Sequence, residues 1–308
     1  MKLTIVGAGH VGGQAAFTCA LGGALSEIVL IDVQAGLARG KALDIQHALP
    51  LAGSGTRLSG SDRLDALVDS DIVVITAGFA RRPGMQRHDL LRQNAEIVAN
   101  IAAAVTRYAP ASRIILVTNP VNVLASLVQR ITEFPAQRVC GMGGVLDNAR
   151  LAAGLASAMG VEPARVETLV IGDHGEHMVP VLGSCRLDGI PVGQRLSNAE
   201  IESIVRAARH AGTEIVELFG NGSAYFAPGM AVAAVVQAIA RDTKQVLCCS
   251  TRAAGHYGLT GGYLGLPVTI GAAGVESVLT PELTAVEETA LRQAWEYLQE
   301  QDRFLGND

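Results

Sequence analysis

The 308-residue sequence has no excess of positive charge, since 24 lysines and arginines face 29 aspartates and glutamates and the formal net charge is -5. A protein that binds nucleic acid or an anionic membrane through its electrostatic field needs a basic patch or stripe. The composition therefore predicts neither a nucleic-acid partner nor a membrane partner. Hydrophobic residues make up 49% of the chain, which is ample for a large core. With about 150 residues per domain as a soft prior, we expect two domains.

Cysteine is scarce and shows no pattern. The five cysteines form neither a paired framework nor the spacing of a metal site. We therefore expect no bound metal, and thiols that act as small buried hydrophobic groups in a reducing cytoplasm. A signal or transit peptide is not visible either, because the chain begins directly with a strand-like segment. The cysteines are Cys19, Cys140, Cys185, Cys248 and Cys249.

No hydrophobic run is continuous enough to span a membrane. The one long uncharged stretch, residues 258–275, is broken by glycines and by Pro267, and is typical of strands and turns. Internal repeats, low-complexity tracts and flexible linkers are missing as well. We therefore expect the two domains to pack together, with an active site between them.

A glycine motif near the amino terminus has the surroundings that a dinucleotide site requires. The strand-like segment 2–6 leads into G-x-G-x-x-G at Gly7, Gly9 and Gly12, and a helical pattern follows over 13–21. Gly7 permits a tight turn, Gly9 lets the backbone approach a pyrophosphate, and Gly12 lets helix pack closely on strand. The amino terminus of the helix then faces the phosphates.

An acidic residue follows at the distance that this motif requires. Asp32 ends a second strand-like segment, 27–31, and lies 20 residues beyond Gly12, where a carboxylate meets the ribose hydroxyls of adenosine. Because a carboxylate there also repels a 2′-phosphate, Asp32 favours NAD over NADP. The alternative interpretation of Asp32 is an ordinary turn residue at the end of a strand.

Three arginines surround a tight turn that follows a buried strand. The apolar run 71–75 leads into a loop in which Arg81, Arg82 and Arg87 lie around a Pro-Gly turn at 83–84. Guanidinium holds a planar carboxylate through two parallel hydrogen bonds, and open α/β sheets bind ligands at the carboxyl ends of their strands. The loop is suited to a small dianion. The alternative is a solvated loop whose arginines only aid solubility.

Two later segments supply candidate acid/base groups. Asp147 and Arg150 are three residues apart at the start of a helical pattern, so they share one face. His174 lies between glycines after the apolar run 168–171, where its ring is poorly covered by its sequence neighbours and is available for proton transfer near neutral pH. Asp147 is a candidate for its orienting partner. The histidines expected to be surface or packing residues are His10, His47, His88, His177, His210 and His256.

Strand and helix patterns alternate through residue 140, as a parallel sheet with crossover helices requires. The second half is less regular. Its predicted elements are a hairpin at 188–189, helices at 198–218, 229–240 and 282–301, and strands at 246–250 and 268–271. We predict an α/β protein with a doubly wound parallel sheet and a second, α+β domain.

Taken together, these motifs resemble those of the lactate and malate dehydrogenase family, in this order and over nearly the whole chain. They are the glycine motif with Asp32, Arg-Arg-Pro-Gly-Met at 81–85 with Arg87, Thr-Asn-Pro at 118–120, Leu-Asp-x-x-Arg at 146–150 and Gly-x-His-Gly at 172–175. Gly-Lys-Ala-Leu-Asp at 40–44 and Gly-Ser-Ala-Tyr at 222–225 fit too. Within the family the chain resembles the NAD-dependent malate dehydrogenases of the bacterial group that is similar to lactate dehydrogenases.

The resemblance implies a fold, an assembly and a reaction. The Rossmann-type NAD-binding domain would cover residues 1–143 and the catalytic, substrate-binding domain 144–308, in a homodimer or homotetramer. The reaction would be reversible oxidation of (S)-malate to oxaloacetate by hydride transfer to NAD. His174 would exchange the proton with the substrate oxygen, while Asp147 orients it and stabilises its charged form.

The resemblance also implies binding roles for the other matching residues. Arg150 would hold the carboxylate next to the reacting carbon, and Arg81 the distal one. Arg87 would polarise the carbonyl when the loop closes. Asn119 would hydrogen-bond the substrate oxygen and contact the cofactor, and Asn94 would help to hold both. Gly7, Gly9, Gly12 and Asp32 would bind the cofactor.

Three alternatives and two departures from the family pattern remain. A lactate dehydrogenase is expected to carry a neutral residue, typically Gln, at position 81, whereas a non-catalytic NAD sensor or a structural protein would not need the full set of acid, base and arginines. The family loop more often reads Ala-Pro-Arg-Lys-Pro-Gly-Met, so Phe79 and Ala80 here remove a hinge proline. Asp173 before the histidine, and Glu176 after it, also depart from the pattern. Asp173 either raises the proton affinity of His174 or faces water, and we expect water.

Overall fold

The computed structural model describes residues 1–79, 87–220 and 222–306, and the side chain of Arg87 lies outside that description. Eight helices and fourteen strands, joined by short 3-10 turns, are found in these ranges. The helices are α1 (His10–Leu21), α2 (Ala35–Ala48), α3 (Arg87–Tyr108), α4 (Val121–Thr132), α5 (Gly143–Met159), α6 (Asn198–Phe219), α7 (Phe226–Ala240) and α8 (Ala285–Gly306).

The strands of the first half are β1 (Lys2–Val6), β2 (Glu27–Ile31), β3 (Arg57–Ser61), β4 (Ile72–Ile75), β5 (Arg113–Leu116) and β6 (Val139–Gly141). Those of the second half are β7 (Val166–Glu167), β8 (Val170–Gly172), β9 (Met178–Pro180), β10 (Arg186–Leu187), β11 (Ile190–Pro191), β12 (Gln245–Ala254), β13 (Thr260–Gly271) and β14 (Gly274–Val278).

Six parallel strands form the first part of the main sheet, in the order β3-β2-β1-β4-β5-β6. This is the strand order of a doubly wound dinucleotide-binding sheet. All residues of β4, and all but the first of β1 and β2, are buried. Near-continuous apolar strands are typical of sheets that helices cover on both faces. The predicted α/β fold with a Rossmann-type parallel sheet is confirmed.

Alternate residues of these strands face two different layers of helices. Leu3 and Ile5 of β1 belong to the apolar cluster that includes α1 and α2, whereas Val6 belongs to the cluster of α3 and α4. The two-residue period of a strand produces this division. Because β1 lies between β2 and β4, the connections leave it in opposite directions, and the crevice beyond the carboxyl ends of these strands is where such sheets bind ligands.

The second half continues the sheet with antiparallel strands. Ser250 of β12 pairs with Gly141 of β6, β13 pairs with β12, β14 and β8, and β8 pairs with β9. A separate three-stranded sheet has the order β11-β10-β7 and contains the predicted turn at 188–189. The second half is therefore α+β, as expected. The strands predicted at 246–250 and 268–271 are parts of the longer strands β12 and β13, because the two pair with each other well beyond the predicted bounds.

Helices α1 and α7 join the two halves. The core cluster of α1 also contains Val232 and Val236 of α7, so apolar packing is continuous across the domain boundary expected at residue 143. Gly229 of α7 packs directly against α1, and a Cβ placed there would be 2.5 Å from Cγ of Gln14. All five cysteines are buried and free. None of the helices within the described ranges has the length and apolar character needed to cross a bilayer.

Replacing Gly229 should test how closely these helices pack. Gly229→Ala forces its methyl group into Gln14 and the backbone of Ala15, and we expect the free energy of unfolding to fall by about 1–3 kcal/mol, as for other overpacked cores. In contrast, a Cβ on Gly40 of α2 would meet no atom within 4 Å, so Gly40→Ala should raise the free energy of unfolding by about 0.5–1 kcal/mol. Urea denaturation measures both, and equal stability of the two variants would contradict this account.

Candidate active site

The three motif glycines are required for different reasons. Gly7 has φ +109°, and a Cβ on it would be 2.5 Å from the backbone nitrogen of Ala77. A Cβ on Gly12 would be 1.9 Å from the carbonyl oxygen of Gly7, whereas one on Gly9 would meet nothing within 4 Å. Gly7 and Gly12 therefore permit close packing inside the protein. Gly9 leaves open space at the amino terminus of α1, where a phosphate group would approach the backbone.

Asp32 lies beside this loop and is fixed by two backbone donors. The amide of Ala8 donates to Oδ2 of Asp32 over 2.8 Å, and the amide of Gln34 donates to Oδ1 over 3.0 Å. The first bond connects the carboxylate directly to the glycine loop. A carboxylate held there can accept further hydrogen bonds from the hydroxyls of a ribose.

Lys41 is a further charged residue at this loop and was missing from the predicted site. Its Nζ donates to the carbonyl oxygen of Gly9 over 2.7 Å. Partial burial lowers the pKa of Lys41, while the charge of Asp32 opposes that shift. The Gly-Lys-Ala-Leu-Asp segment at 40–44 could have identified it, because this segment fits the family resemblance. No role was assigned to its lysine.

The structure brings His174 and Asp147 together from distant segments. Nδ1 of His174 is 2.8 Å from Oδ2 of Asp147, and their side chains are 15% and 4% exposed. Asp147 lies near the amino terminus of α5, while His174 lies in the turn from β8 to β9. A Cβ on Gly143 would be 2.6 Å from Cγ of His174, so the first residue of α5 must be small for the ring to fit.

The charges around His174 favour its protonated form. Burial and, to a smaller extent, the charge of Arg150 lower the pKa of His174, but the charge and hydrogen bond of Asp147 and the charge of Asp173 raise it, and the net shift is upward. Nη1 of Arg150 is 3.9 Å from Oδ1 of Asp147, and its side chain is 16% exposed. Burial lowers the pKa of Arg150, with Asp147 again opposing the shift. A buried carboxylate thus lies between an imidazole and a guanidinium.

Asp173 does not face water as expected. It is partly buried, and Nδ2 of Asn122, the second residue of α4, donates to its Oδ1 over 3.0 Å. Burial raises the pKa of Asp173, while His174 and the bond from Asn122 lower it by smaller amounts. The expectation was wrong because α4, remote in sequence, supplies both a cover and a donor.

Hydrogen bonds of Asn94 connect three segments of the chain. It is 1% exposed. Its Oδ1 accepts from the amide of Phe79 over 2.7 Å, and its Nδ2 donates to the carbonyl oxygens of Phe79, over 3.2 Å, and Asn119, over 2.8 Å. These bonds fix the start of the arginine loop to the connection between β5 and α4. Asn119 itself is exposed at that connection, and Asn94 would act on ligands by positioning these two residues.

Two predicted substrate arginines lie wholly or partly outside the described residues. Arg81 lies outside the described residues, together with Arg82 and the Pro-Gly turn, and for Arg87 only the backbone, at the start of α3, is described.

Three of the histidines other than His174 pack on aromatic rings, as expected of packing residues. They are His10 on Tyr225, His88 on Phe304 and His177 on Tyr297. Among the described residues, no group of three or more histidine, cysteine and acidic side chains could hold a metal ion.

Comparison with known proteins gives consistent results from sequence and from structure. The family models of the lactate/malate dehydrogenase NAD binding domain and alpha/beta C-terminal domain match residues 1–141 and 144–302. A malate dehydrogenase of Chlorobium chlorochromatii is 39% identical, covering 99% of this chain and 98% of its own. The structure of malate dehydrogenase from Salinibacter ruber superposes with a TM-score of 0.95 and 38% identity, covering 100% and 98% of the two chains.

One lactate dehydrogenase structure is as similar to this chain as the malate dehydrogenase structure is. The Cryptosporidium parvum enzyme, solved with lactic acid and nicotinamide adenine dinucleotide, superposes with a TM-score of 0.96 and 35% identity, covering 100% of this chain and 98% of its own. Overall fold therefore does not distinguish the two activities.

Substitution of Gly9 should separate cofactor binding from stability. Because a Cβ there meets no protein atom within 4 Å, Gly9→Ala should leave the melting temperature almost unchanged. The methyl group would occupy the space through which the pyrophosphate approaches, so we expect the dissociation constant for NADH to rise at least about tenfold, or about 1.4 kcal/mol. Titration of NADH fluorescence measures this, with Gly40→Ala as the control. Wild-type affinity in the Gly9 variant would refute the role of this loop.

Proposed function

The chain belongs to the lactate/malate dehydrogenase family, and we propose that it catalyses the reversible NAD-dependent oxidation of (S)-malate to oxaloacetate. The observation that carries the proposal is the buried pair of His174 and Asp147 beside Arg150. It provides an acid/base group and a carboxylate-binding cation in one place. Several curated relatives with about 39% identity over nearly the full chain are named malate dehydrogenase.

The residues at the glycine loop fit the cofactor. Open space at Gly9 and the fixed carboxylate of Asp32 match the pyrophosphate and the ribose of a dinucleotide. NAD, when bound, supplies the hydride acceptor in malate oxidation. The protein contributes placement, charge and proton transfer, so the remaining steps concern its own side chains.

His174 moves the proton. Since a carboxylate only accepts hydrogen bonds, Asp147 fixes the hydrogen on Nδ1 of a neutral His174 and leaves Nε2 free to accept the proton of the malate hydroxyl. The imidazolium formed is stabilised by the negative charge of Asp147. In the reverse direction the imidazolium donates its proton to the oxygen of oxaloacetate, on which negative charge develops.

Charged and polar side chains would orient the substrate. Arg150 would bind the carboxylate adjacent to the reacting carbon in a bidentate pair. Asn119 would bond the substrate oxygen from the neighbouring strand end. Arg81 would bind the second carboxylate and Arg87 would polarise the carbonyl, as the family resemblance implies.

Lactate dehydrogenase activity is the second candidate, and the structural similarity to the Cryptosporidium parvum lactate dehydrogenase supports it. The acid/base pair and Arg150 serve both reactions, because lactate and malate share one carboxylate and one hydroxyl. The arginine at position 81 favours malate over lactate, because a cation there stabilises a second carboxylate. This role of Arg81 rests on the Arg-Arg-Pro-Gly-Met motif at 81–85, because Arg81 lies outside the described residues.

The domain division and the assembly are also proposals. A boundary between residues 143 and 144 would separate the cofactor half from the substrate half, at the start of α5. A homodimer or homotetramer is supported by exposed apolar side chains on two helices, including Leu43 of α2, 58% exposed, and Leu218 of α6, 78% exposed. The five free thiols support a reducing cytoplasm.

The pH dependence should follow the ionisation of His174. Since the pKa of His174 is raised, kcat/KM for oxaloacetate should be highest below that pKa and fall as pH rises through it, while kcat/KM for malate should rise over the same range. Asp147→Asn removes the main cause of the upward shift, and should move both midpoints down by about one to three pH units. Steady-state kinetics over pH measure this. Midpoints that do not move would mean that another pair controls the proton.

Substrate choice should depend on Arg81. Truncating one partner of a buried charge pair costs about 2–5 kcal/mol, so Arg81→Gln should lower kcat/KM for oxaloacetate by about 10- to 1000-fold or more and raise that for pyruvate. Kinetics with both keto acids provide the test, and Arg63→Gln, at an exposed site paired with Asp65, is the matched control. A wild-type preference for pyruvate would favour the lactate dehydrogenase reading.

A further inference from the structure

His174 has a second carboxylate beside it in sequence, and that carboxylate is held in place. Asp173 precedes His174 in the turn from β8 to β9, between Gly172, with φ +88°, and Gly175, with φ +143°. Positive φ at both ends bends the chain sharply around the Asp-His pair. The protein covers both side chains of this pair, since Asp173 is partly buried and the side chain of His174 is 15% exposed.

The anchor of Asp173 is itself buried. Asn122 is 2% exposed, and its Nδ2 donates to Oδ1 of Asp173 over 3.0 Å. Asn122 lies in the first turn of α4, three residues after Asn119. The bond thus joins the turn that carries His174 to the segment that carries a proposed substrate contact. Asn122, Asp147, Asp173 and His174 are among the residues that line one narrow crevice.

The charged and titratable groups around this crevice come from three directions. From α5, Asp147 and Arg150 face His174. From the turn itself, His177 is a further group whose charge acts on Asp173. From β12, Cys248 donates to the carbonyl oxygen of Val170. Burial, and to a smaller extent the charge of Asp147, raises the pKa of that thiol well above its usual range, so it stays neutral.

We propose that Asp173 is a second positioning carboxylate of the acid/base centre, which Asn122 holds in place and which adds to Asp147 in favouring protonated His174. The inference rests on the proposed function for its effect on turnover, but not for its effect on His174 itself. The negative charge of Asp173 is a separate cause of the raised pKa of His174. If Asp173 had only a structural role, it would attach the turn to α4 without changing the proton affinity of His174.

Charge and anchoring can be separated by substitution. Asp173→Asn keeps the size and can still accept from Asn122, but it removes the charge. Asp173→Glu keeps the charge. Asp173→Ser also removes the charge with less bulk, and provides the same test if the Asn variant does not fold. Glu167→Gln, at an exposed carboxylate of β7, is the control for one unit of net charge.

The proton affinity of His174 should be measured without cofactor or substrate, by NMR titration of protein labelled at histidine, with the signal assigned through His174→Asn. We expect Asp173→Asn and Asp173→Ser to lower the proton affinity about threefold to tenfold, Asp173→Glu to restore it, and Glu167→Gln to leave it unchanged. An unchanged titration in the two neutral variants, or a Glu variant that behaves as they do, overturns the inference.

Kinetics then separate this inference from the proposed function. In Asp173→Asn, the pH midpoints for oxaloacetate reduction and malate oxidation should both move down by the amount seen in the titration. A loss of rate with fixed midpoints would show a structural role only, and would overturn the inference. Absence of turnover with either substrate in the wild-type protein would overturn the proposed function, while the NMR titration would still decide the role of Asp173.

Discussion

The burial of Asp147 constrains the rest of the site. Asp147 is 3% exposed, and burying a carboxylate this deeply is costly unless charged or hydrogen-bonded partners surround it. His174 and Arg150 provide those partners, at 2.8 Å and 3.9 Å. The turn between β8 and β9 must therefore approach the first turn of α5 closely, which requires a glycine at 143. One buried charge thus fixes the position of the acid, the cation and the backbone between them.

The first half of the fold follows from local sequence patterns. Apolar strands of four or five residues, the glycine motif and Asp32 each act within a short segment, so their periodicity and spacing are visible in the chain itself. Strands β1 and β2 were predicted with their observed bounds, 2–6 and 27–31. The second half was predicted less well because β12 and β13 are paired antiparallel strands whose length depends on each other.

The candidate site divides in the same way. The residue types and the order of the motifs indicated His174, Asp147 and Arg150, and the structure brings these three together, although their roles remain predictions. Asp173 was assigned to water because nothing in its own segment shows that Asn122 will cover it. Asn94 was expected to help hold cofactor and substrate, and its bonds to Phe79 and Asn119 were not foreseen. Contacts between segments that lie far apart in sequence cannot be read from spacing.

The net charge of the described cluster bears on how a dianion could be selected. With His174 protonated, the imidazolium and Arg150 carry two positive charges, and Asp147 and Asp173, when ionised, carry two negative ones. The four groups then have no net charge, so they attract a dicarboxylate no more than a monocarboxylate through their long-range field. Arg150 can pair with one carboxylate in either substrate. Preference for a second carboxylate must therefore come from a cation outside this cluster, and the sequence places Arg81 two residues after Phe79, to which Asn94 is bonded.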